Sequence, residues 1–246
     1  MELYSGMELT QKPESVNDTH YQHFLSFTRK MTDKQHKFPC IPAVQGFHLN
    51  HFRFGFLKDP AQKETISMMA ALLKEYSHQY RDIGQYTSLI VFFDEKENIE
   101  WSLPDYENAF WKMLTELSAL DPIDWPEKIP LNAADPLWEF CFHGERYFVY
   151  SATPQHKNRQ SRHFPCFLLA FTPRWAFDKF EAHAAAPFVK RKIRERLTEY
   201  DAIAPHPDLK AYGQPDNYEA NQYFLPDNQS TRKSCPFHSY KQHRST

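Results

Sequence analysis

Two hydrophobic periodicities alternate along this chain without a fixed rhythm, and that order constrains the fold more than any other feature. "HFRFGFL" repeats every second residue, with Phe52, Phe54 and Phe56 on one face and Arg53 and Gly55 on the other, the pattern of a strand. "YTSLIVFF" at 86–93 and "FPCFLLAFTP" at 164–173 are nearly all apolar and read as buried strands. "LWEFCFHGERYFVYSA" reads as a hairpin turning near His143-Gly144. Helical stripes run between these segments. Tyr21, Phe24, Leu25, Thr28 and Met31 follow a cap at Asn17, Asp18 or Thr19 and must stop before Pro39. Ile66, Met69, Ala70, Leu73, Tyr76 and Tyr80 follow Asp59-Pro60. Tyr106, Phe110, Leu114 and Leu117 follow Pro104, and two more helices are expected near 175–183 and 188–200. Without a regular βαβ rhythm, the expectation is an α+β fold: a single domain with an antiparallel or mixed sheet of about five strands packed with helices.

The 246 residues suffice for one large core. Residues 1–16 are polar and read as a disordered lead; 17–240 is expected to form the domain. From about 201 onward the helical period is lost and turn residues accumulate, so this stretch is expected to wrap across the core. With only 6 glycines and no phosphate-loop pattern, the sequence argues against a nucleotide-binding loop. A net charge of −2 argues against nucleic acid as a partner. The basic run "KRKIRER" reads as the solvated face of an amphipathic helix. No apolar run is long enough to span a bilayer and the N-terminus is not a signal peptide. Four dispersed cysteines do not form a disulfide framework, so a cytoplasmic chain with free thiols is expected.

Three of those four cysteines sit beside a Pro-Phe pair: Phe38-Pro39-Cys40, Phe164-Pro165-Cys166 and the mirrored Cys235-Pro236-Phe237. They are either packing devices, set where the two ends of the chain would meet, or donors to something soft such as a metal or haem. Close zinc-type pairs are absent, and so is a nucleophile-elbow serine. Cys40 is a candidate thiol nucleophile, with His36 and Lys37 nearby, although its immediate neighbours are apolar. The loop "YSATPQHKNRQSRHFPC" gathers His156, Lys157, Arg159, Arg162 and His163. It is either a solvated basic loop or one wall of a haem pocket, where imidazole meets iron and guanidinium meets propionate.

Taken in order, "FPCIPAVQGFHLNHFRFGF", "SATPQHKNRQSRHF", "TPRWAFDKF", "YDAIAPHPDLKAYGQPDNYEANQYFLPDN" and terminal "CPF" resemble the YqcI/YcgG family over about residues 20–238. The resemblance implies a haem-dependent monooxygenase that hydroxylates a nitrogen of a guanidine-containing small molecule such as arginine. It implies haem b, iron as the metal and an external electron donor, since no flavin or iron–sulfur motif is present. The iron ligand is then His156, first because of its basic loop, or Cys40, whose thiolate favours O–O cleavage, with His163 and Cys235 as the further imidazole and thiolate candidates. Arg53, Arg159, Arg162 and His163 are the expected cofactor-binding residues. Glu139, Asp216 and Glu219 are carboxylates for a guanidinium, with Glu219 taken as catalytic. The alternatives are a non-catalytic haem or ligand-binding protein, and a thiol-dependent enzyme using Cys40.

Overall fold

The computed structural model describes residues 2–94, 100–232 and 234–238. Its six strands form one mixed sheet in the order β1-β2-β3-β6-β5-β4. The strands are β1 (Tyr4–Ser5), β2 (Phe52–Leu57), β3 (Ser88–Phe93), β4 (Phe140–Phe142), β5 (Glu145–Ala152) and β6 (Phe167–Pro173). Only β2 and β3 pair in parallel, from Phe52 opposite Ser88 to Leu57 opposite Phe93. A parallel pair needs a long crossover, and helix α4 (Lys63–Ile83) supplies it. Between β4 and β5, His143 and Gly144 both take positive φ, +53° and +76°, the geometry that lets a two-residue turn follow strand twist.

The pleat sends Phe52, Phe54, Ile90, Phe92, Ala152 and Leu168 to one face. There α2 (Asp18–Thr32) packs with Phe24, Phe27 and Met31, the Phe27 ring meeting Phe54 edge-on at 5.6 Å. Asn17 caps α2 by accepting the His20 N–H at 2.8 Å. Leu57, Leu89, Val91, Phe93, Val149, Leu169 and Phe171 point to the other face, under α4 and α5 (Leu103–Leu120). Burial on both faces explains why β3 and β6 read as continuous apolar runs. Gly55 lets the helix approach the second face closely: a Cβ there would lie 2.7 Å from the Leu72 Cδ1 tip.

Four features differ from the sequence reading. Residues 4–16, read as a disordered lead, instead supply β1, the short helix α1 (Gly6–Thr10) and the buried Leu9 and Val16; this edge strand brings the sheet to six. Residues Ile41–His48, whose helical period was not recognised, form α3. The C-terminal stretch contains the single-turn α8 (Ala220–Tyr223). The mirrored tripeptides do not meet: Phe38 and Cys40 join the α2-side cluster, whereas Cys235 and Phe237 pack with Trp125, Trp138 and Phe140 on the α5 side. The reason is topological, since the sheet lies between them.

Candidate functional site

Beyond the phenylalanine cluster, the α2-side face of the sheet is left open. Ser88, Phe148, Tyr150 and Thr172 floor a cavity of about 420 Å³ there. The Phe38–Ala43 segment forms one wall, and α6 (Arg174–Glu181) and α7 (Ala186–Tyr200) form another. The turn carrying Arg159 and Arg162 and the C-terminal residues Tyr212 and Glu219 close it. Its size matches the range of small-molecule and cofactor sites.

Cys40 lies in the wall, half-buried, at the N-cap of α3. The helix is held close to the sheet because Gly46 packs against the Tyr86 carbonyl, where a Cβ would fall 2.4 Å from that oxygen. Burial pushes the Cys40 thiol pKa up, and a hydrogen bond from the Ala43 N–H partly offsets it. Its sulfur is thus a protected donor at the edge of an aromatic cavity.

Arg159 and Arg162 reach the cavity, but both are also fasteners. Arg159 donates from Nε to Pro226 O at 2.7 Å and from Nη2 to Asn228 O at 2.7 Å. Arg162 donates from Nη1 to Tyr223 O at 3.0 Å and from Nη2 to Gln222 O at 2.8 Å, and lies 4.2 Å over the Tyr150 ring. Burial lowers the Arg162 pKa to about 10, so the group stays charged at neutral pH. Asp227 answers by accepting the backbone N–H groups of Lys157, Asn158 and Arg159. The basic loop therefore pins the C-terminal wrap, and both guanidinium groups border the cavity while doing so.

At the opposite end, Glu139 and Glu219 are buried with Arg174 between them. Arg174 donates through Nε to Glu139 and through Nη2 to Glu219, while Arg146 donates to the second Glu139 oxygen at 3.0 Å. The Arg174 guanidinium stacks 4.2 Å over Tyr212. Burial pushes the Glu219 pKa up to about 8, against the pull of Arg174 and with the help of Glu139. Glu219 lines the cavity; Asp216 is exposed and pairs with Lys210 at 2.6 Å instead. Arg174 was missed at the sequence level. Its signal was an Arg directly following a buried strand within "TPRWAFDKF".

Cys40, Arg159, Arg162 and Glu219 thus come together around one cavity, and three other expected residues do not line it. His156 is fully buried: Nδ1 accepts from Thr153 Oγ1 at 2.9 Å and Nε2 donates to Leu225 O at 2.8 Å. Burial pushes its pKa down to about 4, and both ring nitrogens are occupied by the fold. His163 donates through Nδ1 to His156 O at 3.0 Å. Arg53 alternates to the face opposite Phe52 and Phe54 and donates to Phe52 O at 2.9 Å. Among the described residues, no group of three or more His, Cys, Asp or Glu side chains is placed to hold a metal ion by itself. A metal at Cys40 would have to bring most of its own ligands, as a porphyrin does.

A model of the YqcI/YcgG family matches residues 27–238. The chain is 41% identical to the uncharacterized protein YqcI of Bacillus subtilis (strain 168) over 98% of its length and 96% of the relative's. It is 40% identical to the uncharacterized protein YcgG of the same organism over 96% of its length and 94% of the relative's. A more distant relative, 30% identical over 91% of this chain and 86% of its own, is the Streptomyces lavendulae protein named "Putative N(omega)-hydroxy-L-arginine synthase DcsA". No solved structure matches the chain. Among the described residues, no helix is long and apolar enough to cross a membrane.

Proposed function

The chain belongs to the YqcI/YcgG family, and from that premise we propose that it is a haem-dependent monooxygenase placing an oxygen atom on a guanidine nitrogen of a small molecule such as arginine. The relation to a protein named for hydroxyarginine synthesis supports the reaction class. The observation that carries the reading is that one cavity is bordered by a protected thiol, Cys40, and a buried carboxylate, Glu219.

The residues suit a haem. The half-buried Cys40 thiol at a helix N-cap is the residue that would hold the iron, and a metal deprotonates a coordinated thiol whatever its resting pKa. Phe38, Phe148, Tyr150 and Phe177 offer apolar walls, and Arg159 and Arg162 offer positive charge for propionates. Bound there, the haem would supply dioxygen activation, with electrons from an external donor. The protein's own part is binding and orientation. Glu219 accepts hydrogen bonds from the guanidinium, its own proton passing to solvent as that cation enters the cavity. Arg174, anchored by Glu139, fixes the rotamer of Glu219. The aromatic floor excludes water.

His156 is a poorer ligand in this reading, because recruiting it would strip partners from Thr153 and Leu225. The thiol-enzyme alternative is disfavoured by the raised Cys40 pKa, which leaves little nucleophilic thiolate at neutral pH. The test is to express the chain with haem supplied and record the ferrous–CO spectrum, expected to be of thiolate type. The loaded protein is then given arginine, dioxygen and a reductant, and the product is expected to be one oxygen atom heavier. A protein that refuses hemin would end the oxygenase reading; one that binds haem but turns over no guanidine would be a carrier.

A further inference from the structure

We propose that Arg194 sets the substrate class of the cavity. It receives the carboxylate of a guanidino acid, a molecule with a guanidine at one end and an acid at the other, while Glu219 takes the guanidine. The inference rests on the oxygenase reading above and adds the acidic group to it.

The lining is biased in charge. Six basic side chains border the cavity, and the acidic ones are Glu181, Asp201 and Glu219, in a chain whose net charge is −2. Burial raises the Glu219 pKa to about 8, so at neutral pH this group opposes the cations only weakly. A walled cavity with an excess of one sign of charge draws ligands of the other.

Most of the cations already have partners. Arg174 serves Glu139 and Glu219, Lys190 pairs with Glu181, and Lys210 pairs with Asp216 at 2.6 Å. Arg159 and Arg162 direct their guanidinium N–H groups to main-chain carbonyls of the C-terminal wrap. Arg194 differs. Among the described residues its guanidinium forms no ion pair and makes one hydrogen bond, from Nη2 to Leu209 O at 2.7 Å. The rest of the planar fork is open to a carboxylate, which a guanidinium can meet with two parallel bonds.

Position fits the role. Lys190, Ile193, Arg194 and Leu197 recur at helical spacing, so one face of α7 turns to the cavity, and Arg194 is exposed at its mouth. Leu209, whose carbonyl Arg194 holds, is three residues from Tyr212, and the Tyr212 ring stacks on the Arg174 guanidinium that reaches Glu219. Three residues of chain extend over at most about 10 Å. A flexible guanidino acid can bridge that gap, guanidine inward at Glu219 and carboxylate outward at Arg194.

The probes are arginine and argininamide, which differ in whether the acid is charged, titrated calorimetrically against the full chain with and without haem. Arginine is expected to bind at least about tenfold more tightly, the worth of a hydrogen-bonded charge pair. Added salt should shrink that preference, because Arg194 is exposed. In Arg194→Ala, checked for unchanged circular dichroism and melting, the preference should collapse. Arg194→Lys should restore part of it, as a point charge without the fork. A native chain that binds arginine no more tightly than argininamide, or an Arg194→Ala chain that keeps the preference, overturns the assignment and leaves the oxygenase reading to its own haem test. An Arg194→Ala chain that loses haem but keeps the preference would make Arg194 a propionate contact instead. A chain that takes no haem yet shows the Arg194-dependent preference would sink the oxygenase reading and leave guanidino-acid recognition standing.

Discussion

Arg174 and Glu219 form an ion pair buried at the end of the cavity, with the guanidinium extended further to Glu139. Both carboxyl groups are desolvated and held by the one guanidinium between them, and burial keeps Glu219 the protonated one at neutral pH. Arg174→Ala would leave Glu139 with Arg146 as its cation and strip Glu219 of the guanidinium in a low-dielectric site. It is expected to cost about 3–5 kcal/mol of unfolding free energy in urea titration. Arg174→Lys should recover only part of this, since an ammonium cannot serve both carboxylates with a planar fork.

Glu219 gives the protein a pH signature. Its pKa in the fold is about 8 against an ordinary 4.5, so the folded state holds this proton more tightly than the unfolded chain. Stability from this group is therefore complete below 4.5 and is lost as pH rises toward 8. Thermal melts of Glu219→Gln should lack that decline. In the same variant the KM for a guanidine substrate should rise by about 30-fold, the worth of a hydrogen bond to a charged group at ~2 kcal/mol. A variant with native KM would remove Glu219 from substrate binding.

His156 has the opposite sign. Its pKa lies near 4 against an ordinary 6.5, so the unfolded chain takes up a proton first and stability falls as pH drops from 6.5 toward 4. His156→Gln should abolish that acid slope and destabilise the fold by about 1–3 kcal/mol at pH 7, because the Leu225 carbonyl and Thr153 hydroxyl lose their partner. The haem-loaded spectrum should be unchanged. A shifted spectrum would return His156 to the iron.

Cys40→Ser separates ligand from packing. If the thiolate holds iron, the thiolate-type ferrous–CO spectrum disappears while the protein stays folded. A packed thiol with no such role would show only a modest stability loss of about 1 kcal/mol.

Gly46→Ala tests how the wall is held. Its new Cβ would meet a backbone oxygen, the Tyr86 carbonyl, at 2.4 Å, and backbone cannot swing aside as a side chain can. A loss of about 2–3 kcal/mol is expected, with weaker haem retention, because α3 carries Cys40 and Tyr86 precedes the floor strand. Gly55→Ala meets only the tip of Leu72 and should cost less.

The elements themselves were largely legible. β2, β3, β5, β6, α2, α4 and α5 follow from periodicity, and the cap at Asn17 is local chemistry. β1 and α3 were not, because a two-residue strand and an eight-residue Pro-containing helix are too short to show a period. Of the expected site residues, Cys40, Glu219, Arg159 and Arg162 lie around the cavity, and each came from a motif rather than from composition.

The sequence by itself determined which segments are strands and helices, that polar and charged residues cluster in one loop, and which family the motifs resemble, since these depend on neighbours a few positions apart. Only the tertiary structure decided that Cys40 and Cys235 lie on opposite sides of the sheet, that both nitrogens of His156 are spent on the fold, and that Arg174 joins Glu139 to Glu219. Those relations span tens of residues and turn on which face of a strand a side chain takes and which buried group finds a partner, and no local pattern encodes either.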